Sequence, residues 1–168
     1  MQRLFALTIL FLLFPISVLV AVAIIVTSGY PFLFLQDRVG KNQKPFVIYK
    51  FKSMQNHQVT SIGKVIRKTG LDEIPQLINI LKGEMSFVGP RPLTQYDIQR
   101  LKWTSREHEI RWSVNPGITG PAQLSVICNA DNSFQLDKNY IKTKSSINDF
   151  KLFTRSLLIP FFGKSKVK

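Results

Sequence analysis

Thr69-Gly70-Leu71-Asp72-Glu73-Ile74-Pro75-Gln76-Leu77-Ile78-Asn79-Ile80-Leu81-Lys82-Gly83 carries the periodicity from which the soluble part of the fold is read. Ile74, Leu77, Ile78 and Leu81 recur at i, i+3, i+4 and i+7, the stripe of a helix packed on a core. Proline is tolerated only in a helix's first turn, so the spacing predicts a helix that begins just before Pro75 and ends at Gly83. Asp72 is then its N-cap, and Glu73 stands in the first turn.

Upstream of this block, Arg38 to Lys52 reads as a β-hairpin. Gly40-Lys41-Asn42-Gln43 is turn material, and Phe46-Val47-Ile48-Tyr49-Lys50-Phe51 is rich in β-branched and aromatic residues. On a strand, Phe46, Ile48 and Lys50 share one face. Ile62 to Lys68 reads as a short basic helix or turn. Downstream, Phe87 to Pro92 is a rigid extended loop, residues 93 to 113 look helical, and Pro116 to Gly120 is a turn. Ser125 to Ser133 has no clear period. Ser146 to Phe162 alternates Phe and Leu with Lys and Arg, as an amphipathic helix lying on protein or membrane does. The expected class is α+β, mostly helical with one short hairpin.

The N-terminus is of another kind. Leu4 to Val26 is a run of 23 residues in which only Thr8, Pro15 and Ser17 interrupt the apolar ones, and no charge appears before Asp37 after Arg3. A bilayer core takes roughly 20 such residues as a helix. Ala21-Val22-Ala23 resembles a signal-peptide cleavage site, but the apolar region of a signal peptide is only ~7–15 residues long. A retained membrane segment is therefore expected. Pro15 should kink it, giving either a bent span or a helix–break–helix that enters and leaves by one face; periodicity does not separate the two. Arg38, Lys41, Lys44, Lys50 and Lys52 place the following domain on the cytoplasmic side and against anionic headgroups.

At 168 residues the chain has room for one domain and little more. Its 23 Lys and Arg against 10 Asp and Glu give a net charge of +13, which alone would suit nucleic acid or anionic lipid. No recognised nucleic-acid motif is present, and no nucleic-acid partner is expected. Cys128 is the one cysteine, which excludes an internal disulfide and a four-cysteine zinc site; it reads as a buried small hydrophobe. His57 and His108 read as ordinary polar residues.

Eight basic residues and no acidic one lie between Asp37 and Asp72. The first carboxylates after that run, Asp72 and Glu73, are adjacent at a helix start, where unpaired N–H groups favour anions. Two readings fit. Either Asp72 only caps and Glu73 only favours the helix start, or one carboxylate attacks phosphorus to form an acyl phosphate while the other holds a metal or moves a proton. Attack on a charged diphosphate needs cations, namely Mg²⁺ and arginine forks. Arg91 between Pro90 and Pro92 is offered in one direction, suited to bidentate phosphate binding or simply to solvent.

Several blocks occur in an order that is specific as a set. They are Gln36-Asp37-Arg38-Val39-Gly40-Lys41, Tyr49-Lys50-Phe51-Lys52-Ser53-Met54, Leu71-Asp72-Glu73-Ile74-Pro75-Gln76-Leu77, Leu81 through Pro92 with its Gly89-Pro90-Arg91-Pro92, and Pro116-Gly117-Ile118-Thr119-Gly120. Together they resemble the bacterial sugar transferases, the monotopic phosphoglycosyl transferases. The resemblance runs from the membrane segment to about Tyr140 and implies transfer of a sugar-1-phosphate from a UDP-sugar to a polyprenyl phosphate, with release of UMP. It implies Mg²⁺ and a covalent phosphosugar–aspartate intermediate at the cytoplasmic face of the bacterial inner membrane. Asp72 would be the nucleophile and Glu73 the partner that binds Mg²⁺ or assists proton transfer. Lys50, Arg67 and Arg91 match positions that line the phosphate site, and Asp137 matches an acidic position of a later motif. Pro15 matches the proline that folds the membrane helix back as a re-entrant hairpin, which reverses the base-rate preference for a bent span. The implied division is a membrane part, 1–35, and a catalytic domain with a C-terminal amphipathic helix, 36–168.

Three departures stand out. The residue before the membrane proline is Phe14 where the family usually has serine. The loop between Met54 and Ile62 is short. After Gly120 the family's usual Gly-Arg-Asn is replaced by Pro121-Ala122-Gln123-Leu124-Ser125-Val126-Ile127-Cys128-Asn129, without an arginine. That loss leaves a second class open: a degenerate family member, membrane-tethered and basic, that binds without turnover.

Overall fold

The apolar run forms two helices, α1 (Gln2–Leu12) and α2 (Phe14–Ser28), bent by 60° at Leu13. Pro15 sits in the first turn of α2, where its missing N–H costs nothing. Ser17 donates to the Leu13 carbonyl through both its N–H (2.8 Å) and its Oγ (2.9 Å). No single helix among the described residues is long and apolar enough to cross a membrane, whereas the bent pair together is. The computed structural model describes residues 1–126 and 129–162; Cys128 lies outside them.

The chain divides into two units, Met1–Gln36 with Val47–Lys82, and Asp37–Phe46 with the chain from Gly83 onward. The predicted hairpin is present as β1 (Leu33–Val39) and β2 (Pro45–Phe51) in a two-stranded sheet, with Phe46 and Ile48 buried on their shared face.

In the first unit, β3 (Met54–Gln55) and β4 (Gln58–Val59) pair antiparallel around Asn56 and His57, whose φ angles of 48° and 62° make the tight turn that such a ribbon needs. Next comes α3 (Ser61–Thr69), the predicted basic helix, with the Thr60 hydroxyl accepting from the Gly63 N–H at its start. It ends at Gly70, whose φ of 75° favours glycine.

The helix expected to start before Pro75 begins later. Leu71–Glu73 is a single 3₁₀ turn, and α4 runs from Gln76–Lys82. Pro75 has no N–H to return to the Leu71 carbonyl, so an α-turn cannot close there. The Ile74 N–H takes that carbonyl instead at 3.2 Å, and the Glu73 N–H donates to Gly70 at 3.2 Å. Asp72 therefore lies inside the turn and caps nothing. Gly83 does end α4, with φ 82°. α4 lies against α1, and α3 against α2. Ala6, Ile24, Ile66, Leu77 and Ile80 are buried. Asn79, fully buried, donates to the Val47 carbonyl (2.7 Å) and accepts from the Tyr49 N–H (3.2 Å), which fixes α4 to β2.

In the second unit, β5 (Ser86–Val88) pairs in parallel with β6 (Gly117–Thr119). This replaces both the extended loop at its start and the turn expected over Pro116–Gly120. A side chain at Gly117 would come within 2.1 Å of the Gly89 nitrogen, so backbone approach is what these glycines serve. The helix expected over 93–113 is broken. α5 (Gln95–Arg100) opens with a Thr94–Asp97 capping box, Lys102 turns the chain at φ 57°, and Arg106–Ser113 is 3₁₀. Then follow α6 (Pro121–Leu124), α7 (Ala130–Lys142) and α8 (Ser146–Phe162), the last as expected. The unit's core gathers Leu93, Ile98, Trp103, Trp112 and Phe134. The class is α+β, mostly helical with small sheets.

Candidate active site

The Gly70-to-Pro75 corner sets the two carboxylates on one 3₁₀ turn, and β2 brings Lys50 to them. Lys50 Nζ donates to Glu73 Oε1 at 2.7 Å, with both side chains partly exposed. Asp72 is in no ion pair among the described residues. Burial and the neighbouring Glu73 push the Asp72 carboxyl above the ordinary aspartate range, while the charges of Lys50 and Arg67 pull it back. Arg67 stands in the last turn of α3, where a cation suits the helix C-terminus. Four of the residues singled out from sequence, Lys50, Arg67, Asp72 and Glu73, thus meet in one cluster. The two carboxylates therefore differ: Glu73 is held by an ammonium, and Asp72 is in no ion pair among the described residues.

No group of three or more His, Cys, Asp or Glu fit to hold a metal occurs among the described residues. Mg²⁺ does not require one, since it binds through one or two carboxylates together with substrate phosphates. The adjacent Asp72 and Glu73 fit that donor set.

Arg91 and Asp137 belong to a second cluster, built within the second unit around a residue that sequence reasoning missed. Arg111, 3% exposed, donates from Nε to Asp137 Oδ2 at 2.9 Å, and Asp137 is 1% exposed. Nη2 of Arg111 donates to the Arg91 carbonyl, which ties the Pro90-Arg91-Pro92 loop to the pair. Burial pushes the Asp137 carboxyl up and Arg111 holds it back in part. Arg38, also missed, donates to the Pro92 carbonyl at 3.0 Å and lies 3.7 Å from Asp97. Burial and the charge of Arg91 both lower Arg38; burial lowers Arg111, and Arg91 lowers it further. Arg91 thus repels both Arg38 and Arg111, which Asp97 and Asp137 partly offset.

A family model for bacterial sugar transferases matches residues 1–163. The chain belongs to the bacterial sugar transferase family. It is 33% identical, over 94% of its length, to a UDP-glucose:undecaprenyl-phosphate glucose-1-phosphate transferase of Klebsiella pneumoniae, of which the match covers 38%. It is 37% identical, over 90% of its length, to an uncharacterised sugar transferase of Bacillus subtilis, of which 83% is covered. An Aeromonas hydrophila UDP-N-acetylgalactosamine-undecaprenyl-phosphate N-acetylgalactosaminephosphotransferase is 42% identical over 66% of this chain and 29% of its own. The chain thus spans about a third of two of these relatives and most of the third.

Of the residues expected at the transferase site, Pro15 lies in α2 at the bend and the rest fall into the two clusters described. Arg111 gave no signal of its own: it stands in a run of alternating charges, Arg106-Glu107-His108-Glu109-Ile110-Arg111, that reads as a solvated face. His108, read as ordinary, stacks on Trp103 at 6.0 Å and accepts or donates with Ser105 Oγ at 2.7 Å.

Proposed function

We propose that this transferase moves a sugar-1-phosphate from a UDP-sugar to undecaprenyl phosphate through a covalent intermediate on Asp72. The observation that carries this is the division within the pair: Glu73 is bound by Lys50, and Asp72 is in no ion pair among the described residues. An Asp72 oxygen attacks the phosphorus that bears the sugar, the bridging P–O bond breaks, and UMP leaves with that oxygen. A phosphate oxygen of the lipid acceptor then attacks the same phosphorus, and the bond to Asp72 breaks with return of its carboxylate. Mg²⁺, when bound, would neutralise phosphate charge. Glu73 would hold it, with Lys50 positioning Glu73. Lys50 and Arg67 favour the ionised form of Asp72 against burial, and Arg91 offers a fork to phosphate. The names of the Klebsiella and Aeromonas relatives support the donor and acceptor classes.

The bent pair α1–α2 serves as a re-entrant membrane part, with residues 36–168 as the catalytic domain on the cytoplasmic face. Supporting this are the outward apolar side chains Leu4, Phe11, Leu19 and Val26, all strongly exposed. Ile147, Phe150, Leu157 and Leu158, exposed on α8, suit the headgroup boundary.

The test is UMP release by the purified chain with undecaprenyl phosphate and a panel of UDP-sugars, with Mg²⁺ and with a chelator. UMP release that needs Mg²⁺ and acceptor is expected. Binding of UDP-sugar with no release across the panel would leave only the reading of a degenerate, non-catalytic binding protein.

A further inference from the structure

Gly89-Pro90-Arg91-Pro92, in the second unit, is held by its carbonyls. The Gly117 N–H donates to the Pro90 carbonyl at 3.0 Å, Arg111 Nη2 to that of Arg91, and Arg38 Nη1 to that of Pro92 at 3.0 Å. Where the loop begins, the peptide between Val88 and Gly89 is gripped at both ends. Its N–H donates to the Thr119 carbonyl (2.9 Å), and its carbonyl accepts from the Tyr140 hydroxyl (3.1 Å). A peptide group is planar, so these two contacts fix the plane from which the loop departs. The exposed Arg91 side chain thus starts from a fixed backbone.

Tyr140 is buried on α7, three residues beyond Asp137 and on the same face. That face grips the loop twice. Tyr140 does so directly at Val88, and Asp137 does so through Arg111, which it holds at 2.9 Å. The Tyr140 hydroxyl has a second acceptor, Asp149 Oδ1 in the first turn of α8, at 2.6 Å. Burial and Asp149 raise the proton affinity of the phenol, which therefore stays a donor. A phenol has one hydrogen, so two acceptors share it, and a nearer, charged one takes the larger part.

We propose that Tyr140 is a positioning residue for Arg91: its hydroxyl holds the entry of the Gly89–Pro92 loop, so that the guanidinium is presented from one place, and Asp149 sets how much of that hydrogen bond the loop receives. The use of Arg91 on phosphate rests on the proposed function; the grip on the loop does not.

Tyr140→Phe keeps the ring and removes the hydroxyl. Amide exchange at Gly89, followed by mass spectrometry on the full chain in detergent, should quicken about fivefold, the size of one net buried hydrogen bond. Asp149→Asn puts a neutral amide in place of the charged acceptor and leaves more of the hydrogen to Val88, so exchange at Gly89 should hold or slow. Unaltered exchange in Tyr140→Phe overturns the proposal. Equal acceleration in both variants does so too, because the hydroxyl would then serve only the packing of α8. UMP release tests the link to Arg91. Tyr140→Phe should lower kcat about fivefold in the parent and by less than about twofold in an Arg91→Lys background, since residues that act through one another are not additive. The same fold-loss in both backgrounds overturns that link. If exchange at Gly89 responds as expected while no UDP-sugar is ever turned over, the grip on the loop stands and the proposed reaction fails.

Discussion

Lys50 Nζ and Glu73 Oε1 are 2.7 Å apart, and that contact makes two adjacent carboxylates unlike: Glu73 is paired with an ammonium, and Asp72 is in no ion pair among the described residues. The same ammonium lowers the proton affinity of Asp72, which burial and Glu73 raise. Replacing it with Lys50→Met releases Glu73 and removes that restraint. Activity that needs ionised Asp72 falls as pH drops, so the acidic limb of the kcat/KM profile should move to higher pH. At neutral pH a loss of about tenfold is expected, one partly exposed charge-assisted hydrogen bond. A limb that stays in place would mean that Lys50 does not act on Asp72.

Asp72→Asn should abolish turnover, by ~10³-fold or more as for a missing nucleophile, and Glu73→Gln should cost less. Stability separates this from misfolding. The folded-state proton affinity of Asp72 is raised, so its contribution is favourable below the ordinary aspartate range and is lost as pH rises through the shifted value. At pH 7 the ionised side chain is a cost, and Asp72→Asn should raise the thermal midpoint there. The gain should vanish near pH 3. Near-normal turnover by Asp72→Asn would sink the covalent step.

Arg91→Lys keeps the charge and loses the fork. Since Arg111 grips the Arg91 carbonyl and not its side chain, the loop should hold its shape in the variant. Turnover should drop with the thermal midpoint unchanged. Unchanged kinetics would remove Arg91 from the phosphate ligands.

How far the chain could be read in advance follows from where side-chain periodicity and burial agree. The Ile74–Leu81 stripe announced α4, and β-branched and aromatic content announced β2, although α4 buries Gln76 and Asn79 beside Leu77 and Ile80. α7 escaped because its buried face, Phe134, Asp137 and Tyr140, has a carboxylate in the middle. The β5–β6 pair escaped because Gly89 and Gly117 serve backbone approach, which reads as turn chemistry. At the site, Asp72 and Glu73 were legible by adjacency. Arg111 was not, since its role arises from a partner 26 residues away.

The buried Arg111–Asp137 pair predicts an asymmetric mutational response. Asp137→Ala strands a guanidinium that is 3% exposed, and removing one partner of a buried pair costs about 3–5 kcal/mol. Arg111→Met with Asp137→Leu removes both charges and should recover much of that loss. Equal destabilisation of the single and double variants in urea titrations would show that the pair's charges are not what the unit depends on.

The last prediction concerns the bend. At 1.5 Å per residue, α1 with 11 residues and α2 with 15 reach roughly 16 and 22 Å, each short of a bilayer core of ~30 Å. Joined straight they would reach roughly 40 Å and span it. What holds them bent is a proline without an N–H in the first turn of α2, together with the packing of α1 against α4. Pro15→Ala restores the donor and tips the balance toward one continuous helix, which would carry the N-terminus to the opposite face. With Gln2→Cys in a Cys128→Ser background, a membrane-impermeant maleimide applied to intact cells should leave the parent unlabelled and label the Pro15→Ala variant. Labelling of the parent from outside would show that its N-terminus already crosses, and the re-entrant arrangement would be wrong. Two unlabelled proteins would instead mean that α1 stays bound to α4 whatever residue 15 is.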